Sequence, residues 1–318
     1  MFPLPTDVHL LDVAGPAQAF AMAAELGAGY ELYFVAGKTP TASKQGLGLT
    51  APTEWPSSGH HDLVVVPGWA VGHREDGSDD GRRVPNKLSD ELTDCVARHH
   101  QSGGQVASVC AGAFTLAAAG VLDGRRATTH HALQTSLARW HPSVTVIPDV
   151  LFVSDGPVHT SAGISSGIDL ALHLIALDHG PALAARVARG LVVPMRRNGA
   201  APQESVMLQH RDHMSDLVHR AQDILDVEFA RQLGLGELAR RLAVSERTLT
   251  RAFVAAVGVT PHRYRSALRV ERARVLLAAG WSQAAAATEV GLGDARSLRR
   301  LLVERDSPTA GKAGVNTV

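Results

Sequence analysis

Cys110 stands where a thiol can do chemistry. The run Gln105-Val106-Ala107-Ser108-Val109-Cys110-Ala111-Gly112-Ala113 reads as a strand, a cysteine, small residues and then a helix. That is the layout of a nucleophile elbow, a sharp strand-to-helix turn that holds one side chain out from the backbone. Small neighbours let other backbone come close, and the N-terminus of the following helix favours thiolate over thiol. A reactive cysteine is one reading. A cysteine kept at a tight buried turn for its small size is the other.

A second set of residues has the chemistry of DNA recognition. Gly236–Ala243 reads as a short amphipathic helix, Val244-Ser245 as a turn, and Glu246–Ala256 as a second helix. The Ser245 hydroxyl suits an N-cap, because it can accept a free backbone N–H of the helix it precedes. Leu249 and Phe253, four apart, face inward, which leaves Arg247, Thr250 and Arg251 outside. A helix, a tight turn and a capped helix with exposed Arg and Thr is a helix-turn-helix pattern, and its second helix can enter a major groove. The pattern recurs: Ser282–Val290, a turn at Gly291–Gly293, an Asp294 cap and Ala295–Leu302. There Leu298 and Leu302 point inward, and Ala295, Arg296, Arg299 and Arg300 outward. Arginine pairs bidentately with guanine, so both outer faces are candidate readers of double-stranded DNA. Tyr264–Ala278 forms a long helix between the two units.

The elements that must carry these residues fall into two blocks. Before His210, short apolar runs alternate with helical patterns: Tyr30–Ala36, Asp62–Val66, Gln105–Val109, Arg126–His130, Val144–Ser154 and Val158–Ser161 as strands. Pro85–His100, Ala113–Leu122, Leu133–Trp140, Ile164–Leu177 and Pro181–Leu191 read as helices. This alternation predicts an α/β domain with a doubly wound parallel sheet. After His210 every segment reads helical. The expected organisation is an α/β domain over 1–192, a linker over 193–213 and an all-α domain over 214–318. Gly72–Asn86 is expected to be a polar loop. Met1–Val8 holds two prolines, and a central strand must donate N–H groups that proline lacks. The sheet is therefore expected to lack a full first strand, or the chain to start too far downstream.

Composition narrows the class. The chain has 318 residues, 45% of them hydrophobic and 19% charged, as soluble globular proteins do. No apolar run is long enough to span a membrane and no secretory leader is visible. Two cysteines, Cys95 and Cys110, exclude a disulfide framework and fit the cytoplasm. Net charge is zero, yet residues 240–318 carry fourteen Lys and Arg against six Asp and Glu. A basic tail on an acidic body suits a DNA-binding appendage, although a solvated Arg-rich surface would look the same. The pairs His60-His61, His99-His100 and His130-His131 suggest metal, but adjacent residues of a strand point to opposite faces. No metal and no cofactor is expected.

The tail resembles the AraC/XylS family through LARRLAVSERTLTRAF, GVTPHRYRSALRVERARVLL and VGLGDARSLRRLL. The resemblance implies two helix-turn-helix units on one linker helix, reading successive major-groove segments of one duplex face. The sequence departs from that family at Leu292 and Leu302, where aromatics are usual, and at Gly311, where Tyr is usual. The first block resembles the PfpI-like superfamily, related to class I glutamine amidotransferases. Its matches are LLDVAGPAQAF, DLVVVPGW, ASVCAGAFTLAAAGVLDGRRATTHH and PDVLFVSDGPVHTSAGISSGIDLALHLI. Together the two halves resemble GlxA-type regulators, which implies a flavodoxin-like sensing and dimerisation domain for a small-molecule effector. By that resemblance Asp12, Gly68, Cys110 and Ala111 line a small pocket, with His131 or His130 near. Asp12 has a second reading, as the cap of a helix beginning at Gly15-Pro16. Protease-like members carry His after the cysteine and isonitrile-hydratase-like members carry Thr; here Ala111 stands there, so no catalytic residue is expected. The alternative is a cysteine-dependent hydrolase or hydratase.

Overall fold

In chain order the first part runs β1 (Phe2–Leu4), α1 (Leu10–Glu25), β2 (Phe34–Ala36), β3 (Thr41–Ala42), β4 (Gly48–Leu49), β5 (Leu63–Val66) and α2 (Asp90–Gln101). It continues with β6 (Gln105–Val109), α3 (Gly112–Ala118), β7 (Arg126–Ala127), a 3-10 turn (His131–Leu133), α4 (Gln134–Trp140), β8 (Thr145–Val146), β9 (Phe152–Asp155), β10 (Val158–Ser161), α5 (Ser166–His179) and α6 (Pro181–Gly190). The second part is α7 (Val206–Gln209), α8 (Asp216–Glu228), α9 (Leu235–Arg241), α10 (Glu246–Val257), α11 (Pro261–Ala278), α12 (Gln283–Glu289) and α13 (Ala295–Asp306). The computed structural model describes residues 1–57, 59, 61–70, 89–193, 197, 199–203, 205–278 and 280–306. The expected loop at Gly72–Asn86, His60 and Gly311 lie outside the described residues. Contacts divide the chain into two units, Met1–Gln203 and Glu204–Val318.

The first strand exists, which corrects the expectation for Met1–Val8. β1 pairs in parallel with β2. On its other side the Val65 N–H donates to Met1 O at 2.9 Å and the Met1 amino group donates to Leu63 O at 2.8 Å. β1 is thus a central strand, short and wholly buried. Pro3 is tolerated because donors alternate along a strand: Phe2 N–H donates toward β2, to Tyr33 O at 2.7 Å. The donor Pro3 lacks falls on the β5 side. β5 pairs in parallel with β6, and β6 with β10. The strand order is therefore β2-β1-β5-β6-β10-β9. One expectation changes: β9 runs antiparallel to β10, so the sheet is mixed rather than parallel throughout. A short hairpin from Asp155 to Val158 reverses the chain there, with Gly156 at φ +60 supplying the turn.

The central strands Leu63–Val66 and Gln105–Val109 are buried without alternation, as strands covered on both faces must be. α1, α5 and α6 pack with one another, and α2 packs on α3. Gly15 of α1 approaches α5 so closely that a Cβ there would lie 2.9 Å from Ile168 Cγ1. α1 begins at Leu10, not at Gly15-Pro16, and Pro16 lies inside it.

The second unit holds two separate cores. One joins α8, α9, α10 and the first half of α11 through Val218, Leu225, Leu238, Leu249, Phe253 and Tyr264. The other joins the second half of α11 to α12 and α13 through Ala273, Leu276, Ala286, Ala287, Val290 and Leu298. The stretch expected as a linker is anchored at both ends. Gly199 O and Ala201 O accept from Leu151 N–H at 2.8 and 3.0 Å, whereas Val206 N–H donates to Glu271 Oε2 at 2.7 Å. No helix among the described residues is long and apolar enough to cross a membrane.

Candidate functional site

Cys110 follows β6 at φ +56, a backbone conformation that L residues rarely adopt and that the elbow geometry imposes. Its N–H donates to Ser161 O at 3.0 Å, and the Thr129 hydroxyl donates to Cys110 O at 2.7 Å, so both backbone groups of the strained residue are held. Glycines close around the thiol. A Cβ on Gly68 would lie 2.5 Å from Asp12 Oδ2 and 2.8 Å from Cys110 Cβ. A Cβ on Gly163 would overlap Cys110, and one on Gly112 would overlap Val66 O. Asp12, Gly68, Cys110 and Ala111 are therefore brought together, as expected.

The chemistry of that cluster differs from the elbow reading. Asp12 is 0% exposed and Cys110 is 7% exposed. Burial, then the Asp12 carboxylate, pushes the Cys110 thiol far above its ordinary range, although the Ala111 N–H pulls the other way. The expected lowering by a helix N-terminus is real but smaller than the loss of water. Asp12 sits in the first turn of α1 and does not cap it; its Oδ1 accepts the Ile164 N–H at 2.8 Å. Burial raises its carboxyl, against the Ile164 and Gly68 N–H groups that lower it. Ile164, at φ +51 beyond β10, belongs to this cluster and was missed. The only signal for it was the Gly163 that precedes it. His131 is exposed on the 3-10 turn, its ring 4.2 Å from that of His130. The two histidines are in a turn, not a strand, so the opposite-face argument does not apply to them. Among the described residues no three His, Cys, Asp or Glu side chains converge as a metal site would require.

The helical unit places the arginines outward. Ser245 caps α10, its Oγ accepting Thr248 N–H at 3.1 Å. Asp294 precedes α13 and its Oδ1 accepts Ser297 N–H at 2.7 Å. Leu249, Phe253 and Leu298 are buried, so the helices have one inner face each. Arg247 and Arg251 on α10, and Arg296, Arg299 and Arg300 on α13, are exposed; Thr250 and Ala295 are half-buried beside them. None of these five arginines forms an ion pair among the described residues. Other arginines of the basic tail are consumed by the fold. Arg241 pairs with Glu228 and Glu237 at 2.7 Å each. Arg269 is buried, and its guanidinium donates to Phe229 O at 2.7 Å and Arg231 O at 3.2 Å, while Arg265 donates to Leu233 O. Arg241, Arg265 and Arg269 are thus taken up by the fold, whereas the five arginines of α10 and α13 stay exposed.

Comparison with known proteins agrees with this division. Residues 1–177 match the DJ-1/PfpI family, and residues 238–305 match a helix-turn-helix domain. The HTH-type transcriptional regulator CdhR of Pseudomonas aeruginosa is 33% identical over 58% of this chain and 55% of its own length. The chain thus spans about half of that regulator. Isonitrile hydratase of Pseudomonas putida is 33% identical over 52% of this chain and 66% of its own length. A crystal structure of an AraC family transcriptional regulator from Pseudomonas putida superposes with a TM-score of 0.50 at 22% identity, covering 60% of this chain and 97% of that one. That likeness gives the α/β fold of the first unit. The chain belongs to the DJ-1/PfpI family and joins that domain to an AraC-type helix-turn-helix domain.

Proposed function

We propose that this protein is a sequence-specific transcription regulator of the cytoplasm whose α/β domain dimerises and senses a small molecule. One observation carries the DNA-binding part: α10 and α13 are each capped, each packed on one face, and each carries exposed arginines on the other. In this reading Ser245, Arg247, Thr250 and Arg251 contact one major-groove segment, and Ala295, Arg296, Arg299 and Arg300 contact the next. A homodimer through the first unit would set two such pairs on two half-sites.

The cysteine supports a binding domain over an enzyme. A nucleophile needs a base and a thiolate, and Cys110 has a buried carboxyl as neighbour and a thiol pushed upward. Turnover of an isonitrile that is abolished by Cys110→Ser would reverse this conclusion. The main test is fluorescence anisotropy with DNA from upstream of the protein's own gene. Binding should fall steeply with salt, as expected for phosphate contacts. Arg251→Ala should weaken specific binding by roughly tenfold or more, the scale of one lost Arg–guanine pair. A well-folded protein that selects no fragment, or an Arg251→Ala variant with unchanged affinity, would overturn the reading.

A further inference from the structure

The structure assigns small-molecule binding to a cavity at the carboxyl ends of β1 and β2, separate from the cysteine elbow. The site takes an amphipathic small molecule with a hydrogen-bond-accepting head. The assignment rests on the effector-sensing reading above and says where that effector sits.

The topology selects this place. From β1 the chain passes to β2 on one side and later to β5 on the other. Such a reversal opens a crevice at the carboxyl ends of the neighbouring strands β1 and β5, where open α/β sheets bind ligands, and the cavity reaches it through Pro5, Thr6 and Trp69, which follow those two strands. A cavity of about 510 Å³ lies there, within the range of small-molecule sites. Its lining includes none of Asp12, Gly68, Cys110, Ala111 or His131.

The lining has two characters. Leu4, Val35, Ala36 and Trp69 form buried apolar walls, and the half-buried Trp55 adds a second indole. Around them stand Lys38, Glu91 and Thr53, all exposed. Trp69 is 3% exposed, and its Nε1–H has no hydrogen-bond partner among the described residues. A buried indole N–H left unpaired is costly, and an arriving acceptor would relieve that cost. Two further donors edge the same space: the Lys38 ammonium and the amino end of α2, which begins just after Ser89. Apolar walls with converging donors suit a ligand that has an apolar body and an accepting head.

Anilinonaphthalene sulfonate has both parts and serves as the probe. Calorimetric titration of the full chain should give one site per protomer. Thr53→Phe, an exposed rim position whose change spares the core, should weaken that site about tenfold by blocking the mouth. Trp69→Phe keeps the ring and removes the donor, and should weaken it by roughly threefold to tenfold, the scale of one hydrogen bond. Cys110→Ser should leave it unchanged. Binding insensitive to both Thr53→Phe and Trp69→Phe, or lost in Cys110→Ser, overturns the assignment. Trp69→Phe also separates the site from general hydrophobic affinity, because it keeps the apolar area. DNA binding by the same samples is read independently. Its absence would defeat the regulator reading and leave the cavity result standing.

Discussion

In the first helix-turn-helix unit, α10 is held from beneath by Phe253, which meets Tyr264 edge-on with ring centroids 5.6 Å apart. The Tyr264 hydroxyl in turn donates to Asp226 Oδ1 at 2.7 Å, which ties α11 to α8. In the second unit α13 is held by Leu298 over Ala286, Ala287 and Val290, with no aromatic residue in the buried core. Small residues there let backbones approach. Gly291, at φ +72, lies so close to Ala230 that any Cβ would overlap its carbonyl oxygen. The turn is also one residue longer than in the first unit. The same recognition geometry is thus kept by bulk in one case and by close backbone approach in the other. The second unit is the dependent one. Phe229 packs against both cores, and Arg269 holds the Phe229 and Arg231 carbonyls. The end of α8 and the helix α11 are therefore shared supports.

The largest expected effect follows from that dependence. Phe253→Ala should cost about 3–5 kcal/mol, as truncation of a buried aromatic does, and α13 should lose amide protection together with α10. Leu298→Ala should cost about 2–4 kcal/mol, with protection lost in α12 and α13 but kept in α9 and α10. Hydrogen exchange distinguishes the two patterns. Equal loss in all four helices for Leu298→Ala would show that the units are symmetric partners.

The next effect separates the two turns. Ala243 occupies φ +55 after α9, the place Gly291 takes after α12. Gly291→Ala should destabilise by roughly 3 kcal/mol, combining left-handed strain with overpacking against Ala230. Ala243→Gly should be neutral or stabilise by up to about 1 kcal/mol, because relief of the same strain is partly offset by unfolded-chain entropy. Melting temperatures that move in the same direction for both would break the contrast.

Much of this was legible in the sequence where local pattern decides. Gln105–Val109 and Val158–Ser161 form strands with the bounds expected for them, and Ser245 and Asp294 cap as their spacing implied. What depends on distant partners was not legible. α1 is apolar on nearly every side and has Pro16 within it, so its start was misplaced by five residues, from Leu10 to Gly15. β1 was discounted because the side that Pro3 faces is set by pairing, not by composition. One of the two readings of Cys110, a reactive thiol, rested on the helix that follows it in sequence. Asp12, from α1, and Gly68 and Gly163, from two loops, bury the thiol and reverse the effect. Arg265 and Arg269 counted toward the charge of the basic tail, because nothing local announces that they hold the carbonyls of Leu233 and Phe229 in the segment between α8 and α9.

The smallest effect concerns the caps, and it has a pH signature. Ser245→Ala should cost about 1 kcal/mol at any pH, since a hydroxyl cap does not titrate. Asp294 caps as a carboxylate: the Ser297 N–H, then the Arg296 N–H and the Ser297 hydroxyl, hold its carboxyl below the ordinary range. A folded value below the unfolded one means that the unfolded chain binds the proton more readily. The stabilisation is therefore present above the ordinary carboxylate range and is lost as pH falls through the folded value. Asp294→Asn should keep a cap at all pH values, whereas the native protein should lose the advantage of its charge on acidification. Denaturant titrations of native, Ser245→Ala and Asp294→Asn proteins from neutral to acid pH measure the difference. If native and Asp294→Asn curves stay parallel across that range, the second cap works as a neutral acceptor and the two units are more alike at their turns than their cores suggest.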